Sequence, residues 1–366
     1  MVYLHHLPFM HHFALTTIIP AALLVFTNEL HIGVSLFFVL SGFLIYRRYA
    51  TTVEHSGSWW YRYGVNRIAR IYPMYFLFTA ITFLIIHEHR VGMWALHLTM
   101  LRGFSDVYKF TGIGQGWSLT VEECFYFSAP LFFLWLRKSR RFWPPLFVVY
   151  GAGLLLLSAG HAAGFRGFFE GWRFMSVYTF FGRAFEFFAG MFVARLLSAR
   201  PAQGGRPIVT YGSIAGIGIT IALLTRLQGP HGEVALLNSS LAIAVNNVII
   251  AALFAALIYA LAAERSIVHR ILGSKPVVLL GRASFVFYLI HMGPFRGAIQ
   301  GYLHLPAGVI EVAVMFIVMN VIAVLVFLIL EEPLNRAVRA ILGTGHGEAF
   351  GGGPAREECA VLETAA

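Results

Sequence analysis

Trp117-Ser118-Leu119-Thr120-Val121-Glu122-Glu123-Cys124-Phe125-Tyr126-Phe127 is the stretch whose reading decides the fold. It opens an apolar run over 118–136, close to the ~20 residues a helix needs to cross a bilayer. Near the start of that run stands a carboxylate, and an ionisable side chain at a helix centre costs roughly 2.5–3.5 kcal/mol on insertion scales. Glu122 and Tyr126 are four residues apart and share a helix face. Two readings fit the carboxylates. One is a span end solvated by headgroups, which suits Glu123; the other is a group facing an internal chamber, which suits Glu122.

Working outward, the same apolar texture fills the chain. Of 366 residues, 58% are hydrophobic and 12% charged, half the roughly 25% charge of an ordinary soluble domain. That leaves too little polar surface to solvate a globule, so lipid is the expected solvent. Helices, which satisfy their own backbone, are the expected spanning element. The short alternating segments of a transmembrane β-barrel are missing. Spans are predicted at 33–46, 74–87, 118–136, 143–160, 178–195, 208–225, 236–262, 279–296 and 307–330. Residues 1–26 read as the end of a first span followed by a hydrophobic loop, interrupted by Pro8 and Pro20. The expected fold is all-α: a polytopic transmembrane bundle of about ten spans with the first truncated. Residues 1–342 form one domain, and the Gly-rich, acidic stretch 343–366 reads as a disordered cytoplasmic tail.

Lys and Arg fall in alternate loops. Arg47, Arg48, Arg62, Arg67 and Arg70 begin the series, Arg137, Lys138, Arg140 and Arg141 follow, and later members include Arg265, Arg270, Lys275, Arg336 and Arg339. The intervening loops hold few, among them Arg90, Arg102 and Lys109, with Arg296 at a span edge. By the positive-inside rule the rich set is cytoplasmic. Both termini are then cytoplasmic, in a multi-pass protein of the inner (plasma) membrane. The net charge of +10 becomes a topology signal, and nucleic acid is not an expected partner. Two cysteines, Cys124 in an apolar helix and Cys359 in the tail, give no disulfide framework.

Other polar residues within apolar segments are candidates for a site. His5, His6, His11 and His12 form a cluster that fits either a membrane edge or a general base, histidine being the commonest one near neutrality. No carboxylate or cysteine spacing beside them completes a metal set, so no metal and no bound cofactor is expected. Arg183 and Glu186, at i, i+3, read as an intrahelical ion pair. Ser284, Tyr288 and His291, at i, i+4, i+7, read as one helix face, with His291 either packed or lining a cavity. Arg67 and Arg70 precede Pro73 at what reads as a cytoplasmic helix start. There they serve either as membrane anchors or as a phosphate site at a helix N-terminus.

Together these segments resemble the acyltransferase 3 family of membrane enzymes that O-acylate sugars and related molecules. The resemblance is carried by Gly33-Val34-Ser35-Leu36-Phe37-Phe38-Val39-Leu40-Ser41-Gly42-Phe43-Leu44-Ile45 and by Arg67-Ile68-Ala69-Arg70-Ile71-Tyr72-Pro73. It continues through Trp117–Glu122, Arg183–Gly190, Leu280–Ser284, Tyr288-Leu289-Ile290-His291 and Glu332-Pro333. The family signature places an Arg eleven positions before a catalytic His. His6 takes the His position, with His5 second, and the Arg would fall five residues before Met1. The resemblance thus implies a first span cut short by a late start or a truncation.

What the resemblance implies is an O-acetyltransferase-type enzyme. Acyl-CoA, acetyl-CoA by default, serves as co-substrate, and a hydroxyl of a carbohydrate or glycoconjugate is the acceptor. His6 would be the base, Glu122 would orient the imidazole or line the acceptor site, and Arg67 and Arg70 would hold CoA phosphates. Ser41, Trp117, Tyr126, Arg183, Glu186, Ser284, Tyr288 and His291 would line the chamber, with membrane lipid around it. The rival reading is a transporter or flippase of a glycan or small polar solute, which also places His, Glu and Arg in membrane cavities.

Overall fold

The computed structural model describes residues 1–6, 21–139, 141–164, 167–199, 204–229, 233–305 and 308–343. His11, His12 and the predicted tail from 344 onward lie outside them. Every regular element among the described residues is helical, and two isolated bridges, Ser105 with Phe168 and Gly205 with Glu264, replace strands. In chain order the elements used below are α1 (Val2–His5), α2 (Ala21–Asn28), α3 (Gly33–Tyr49), α4 (Gly57–Ile85), α5 (Val91–Leu98), α6 (Trp117–Lys138) and α7 (Trp143–Ala162). Then come α8 (Trp172–Tyr178), α9 (Phe180–Ala199), α10 (Ile208–Leu224), α11 (Ala251–Ala263), α12 (Lys275–Arg282), α13 (Ser284–Ile290), α14 (Gly293–Leu303), α15 (Val309–Val326) and α16 (Glu332–Ile341).

Among the described residues, seven helical stretches are long and apolar enough to cross a membrane: Val25–Tyr49, Gly57–Ile85, Gly114–Lys138, Trp143–Ala162, Ile208–Leu227, Ser240–Ala263 and Val309–Ile341. The expected count of about ten is not reached, for two physical reasons. The run at 178–195 is a 20-residue helix, α9, but Arg183, Glu186 and Arg195 charge it too heavily. The run at 279–296 is not one helix: it divides into α12, α13 and α14, with breaks at Ala283 and at His291–Met292. Two spans continue through π-helical turns, Val245–Ile250 and Phe327–Glu331.

The helix containing Arg67 and Arg70 corrects a second expectation. It does not start near Pro73 but at Gly57, where Ser56 accepts a hydrogen bond from the Trp59 amide and caps the end. It then runs uninterrupted through Pro73 to Ile85. Within a membrane bundle neighbouring groups re-satisfy the carbonyl that a proline leaves bare. Both arginines are therefore helix-interior residues, and the helix-terminus argument for anion binding at them falls away.

The centre of the bundle is the pair α3 and α9. A Cβ on Gly42 would overlap the Phe187 carbonyl, and one on Gly190 would overlap the Val39 carbonyl. Glycine at both positions thus lets two backbones touch, the small-residue mode of helix packing in lipid. One apolar cluster lies on each side of this pair. The first holds Phe38, Phe125, Phe133, Phe187 and Met191; the second holds Val39, Phe43, Ala194, Ile221 and Phe254. Outward-facing residues are apolar too: Phe147, Leu155, Ile219, Ile310 and Ile317 are well exposed. Polar side chains such as Glu29, Glu122, Arg183 and Glu186 are buried. This inverted distribution is the one lipid imposes.

Candidate active site

Among the described residues, three buried polar groups gather most of the predicted site residues. The first is a set of imidazoles. α1 docks against the short turn Glu29–Ile32, where the His5 Nδ1 lies 2.7 Å from the Asn28 carbonyl. The His5 and His6 rings are 4.7 Å apart, His5 and His31 5.6 Å, and His6 and His291 5.4 Å. His5 and His6 are half-buried, and His291 is 1% exposed. The buried guanidinium of Arg296 is within electrostatic reach of both His6 and His291 and stands over the Tyr3 ring.

The second group surrounds Glu122. Ser41 donates to its Oε1 at 2.6 Å, and the Tyr126 hydroxyl donates to the same oxygen. The face shared at i, i+4 is thus real. Arg67 donates to the Tyr49 hydroxyl at 3.0 Å and covers the rings of Tyr49 and Tyr126 at 5.3 and 5.4 Å. Arg70, one turn further, is ion-paired with the buried carboxylate of Glu331. A phosphate at Arg70 would have to displace that partner.

The third group joins α9 to α3. Arg183 pairs with Glu186 at 2.8 Å, the intrahelical bridge that the spacing predicts, and also donates to Ser35 at 3.1 Å. Ser35 leads on to Asn246 in the π-helical turn at 3.5 Å, Asn246 donates to Asn247 at 2.9 Å, and Asn247 donates to the Ser176 carbonyl at 2.8 Å.

Several predicted neighbours are not together. Glu122 takes its hydrogen bonds from Ser41 and Tyr126, not from His6, so the triad-like contact expected between them is not formed. Between the two stands Tyr288, which feels the Glu122 charge and whose ring lies 5.5 Å from that of His291. Trp117 is edge-on to Tyr178 at 5.0 Å. Nine positions at 1.5 Å rise separate it from Tyr126 by roughly 13 Å along the helix. Ser284 is exposed while Tyr288 is half-buried and His291 buried. Tyr288 and His291 stay together, their rings 5.5 Å apart and the His291 amide still donating to the Phe287 carbonyl, while Ser284 stands exposed at the start of the helix.

Sequence reading missed other members. Arg296 was counted as a charge at a span edge, although it is buried against α1. Gln115 is uncharged and sits in a Gly-rich loop, so nothing in the sequence singles it out. Its amide donates to the Tyr288 carbonyl at 2.6 Å and to the Leu289 carbonyl at 3.0 Å. Arg102, read as a loop charge, is wholly buried and donates to the carbonyls of Lys109, Thr111 and Ile113, which shapes the loop leading into α6. Among the described residues no three His, Cys, Asp or Glu are placed to hold a metal ion. A hollow of about 410 Å³ opens at the end of α4 beside His87, Glu88, His89 and Trp94; none of the three polar groups lines it.

Chemically, the imidazole group offers a base beside a buried cation, and the Glu122 group offers a carboxylate already held by two hydroxyls. A family model described as an acyltransferase domain, that of acyltransferase 3, matches residues 1–330. No curated protein matches the chain, and no solved structure does. The match spans nearly the whole helical part, so the chain belongs to the acyltransferase 3 family and is a multi-pass membrane acyltransferase.

Proposed function

From that membership we propose that the protein moves an acyl group, acetyl in the first instance, from acyl-CoA to a hydroxyl of a carbohydrate or glycoconjugate. The setting is the inner (plasma) membrane, with both termini cytoplasmic. α9 and the broken segment 279–296 complete the crossing to about ten spans. The observation that carries the reading is the packing of His6 against a second buried histidine inside an all-helical membrane bundle. An imidazole within reach of a hydroxyl is the commonest general base for attack on a thioester carbonyl.

In this mechanism His6 takes the proton of the acceptor hydroxyl as its oxygen attacks the thioester carbonyl carbon. The carbon–sulfur bond breaks, and the proton goes to the departing CoA thiolate. Glu122, Ser41 and Tyr126 hold the wall of the chamber, and Tyr288 connects that wall to the histidines. Arg67 receives the donor's phosphates. Arg70 joins it only if Glu331 is displaced.

The test uses membrane vesicles carrying the full chain, labelled acetyl-CoA and a panel of mono- and oligosaccharides. Thiol release and label transfer are expected from the parent chain and not from His6→Ala at equal membrane expression. Transfer undiminished in His6→Ala would remove His6 as the base. Movement of a glycan across the vesicle without any CoA release would replace the enzyme with the transporter.

A further inference from the structure

Helix α13 stops at Ile290, and the next helix begins only at Gly293. The last carbonyls of a helix have no partner of their own and need donors from elsewhere. Here Gln115 supplies two, to Tyr288 and Leu289. The Tyr288 carbonyl has a second neighbour, the Nδ1 of His291 at 2.7 Å. A carbonyl oxygen only accepts, so Nδ1 carries the hydrogen, and in the neutral ring the lone pair is then on Nε2. That Nε2 is buried and has no hydrogen-bond partner among the described residues. The ring is further held by stacking on Phe287 at 5.9 Å and 7°. Its other close rings are those of Tyr288 at 5.5 Å and His6 at 5.4 Å.

The groups that bear on this pair come from every side. Among the described residues they are His5 from α1, His31 from the turn before α3, and Arg296 from α14. No carboxylate is among them. The usual orienting partner of a catalytic imidazole, a buried Asp or Glu, is therefore not the one in place.

We propose that His291 is a positioning residue that acts through His6. Its Nε2, buried and without a hydrogen-bond partner among the described residues, is the acceptor that a turn of the touching His6 ring would bring to the N–H of one His6 nitrogen, leaving the other His6 nitrogen as the lone pair that meets the acceptor hydroxyl. Gln115, by fixing the Tyr288 carbonyl, fixes the tautomer of His291 and through it that of His6. His291 gains and loses no proton overall: the hydroxyl proton goes to His6 and from there to the CoA thiolate.

This inference rests on the acyl-transfer reading, and the experiment separates the two. If the parent chain in vesicles releases no CoA from labelled acetyl-CoA with any acceptor of the panel, the acyl-transfer reading fails before His291 is examined. Given turnover by the parent, His291→Ala is expected to lower kcat about 10²-fold, the lower end of general-base effects, with KM for acetyl-CoA within about twofold. Added imidazole is expected to restore part of the rate. His291→Gln, which keeps a donor and an acceptor in a similar volume, should retain more activity than His291→Ala and covers the case in which the alanine variant fails to fold. Unchanged kcat in a well-expressed His291→Ala protein would overturn the proposal. So would a loss that neither imidazole nor the glutamine variant relieves.

Discussion

The imidazole group and the Arg183–Glu186 group lie in the same bundle, a few turns apart, and are built on opposite principles. Around Arg183 most polar groups answer one another: guanidinium to carboxylate and serine, serine to asparagine, asparagine to asparagine, and the last asparagine to a backbone carbonyl, with the second Glu186 oxygen left without a hydrogen-bond partner among the described residues. Around His6 the rings touch edge and face, yet the buried Nε2 of His291 and that of His31 have no hydrogen-bond partner among the described residues. A closed network fixes a structure, because breaking any member strands a charge in low dielectric. An open one keeps lone pairs at hand for chemistry. Arg183 and Glu186 neutralise each other, while the ring nitrogens of His291 and His31 are left available.

That contrast can be broken by four measurements. The largest effect is expected at the open group: His6→Ala should cut acyl transfer by about 10²–10⁴-fold while the thermal midpoint in detergent stays close to that of the parent. At the closed group the pattern should reverse. Arg183→Met alone strands the Glu186 carboxylate and should cost about 3–5 kcal/mol of stability, whereas Arg183→Met with Glu186→Leu should recover most of it, read by thermal melts of both proteins. If the double variant melts as low as the single one, the pair is more than a structural bridge. Ser41→Ala removes one of two hydroxyls from Glu122 and should cost about 1 kcal/mol, with Tyr126 still in place. The smallest effect belongs to Glu88, a half-buried carboxylate at the end of α4 pushed down to about 2 by the hydrogen bonds from the exposed Arg90. Because its folded value is depressed, whatever it adds is present above the ordinary carboxylate range and is lost only as pH falls toward 2. Glu88→Gln should leave the melt at neutral pH unchanged, since an ion pair whose cation is exposed adds little.

How far the sequence could be read follows from the same physics. Length and hydropathy suffice for spans such as 143–162 and 208–227, where the apolar run and the helix nearly coincide. They fail at 279–296, because an apolar run cannot show that its backbone breaks at Ala283 and His291. They fail again at Pro73, because a proline read as a helix start in water is tolerated inside a helix in lipid. Glu122 and Tyr126 were legible as one face because their contact is local, four residues apart. The pairing of Glu122 with Ser41, of Arg70 with Glu331 and of Gln115 with the end of α13 joins positions 81, 261 and about 173 residues apart. No spacing rule in a single chain reaches that far. Arg296 escaped for a different reason: charge counting assigns an arginine to a side of the membrane, and this one points inward.

The glycine seam between α3 and α9 has a mechanical consequence. With the Gly42 Cα against the Phe187 carbonyl and the Gly190 Cα against the Val39 carbonyl, these two rods have no side-chain cushion on which to slide. They form a fixed post that carries Ser35, Ser41, Arg183 and Glu186 at constant spacing. Any motion that admits a bulky substrate then falls to lighter pieces hung on the post, the short segments α12, α13 and α14. The machine would open by lifting small parts at its rim while its axle stays still.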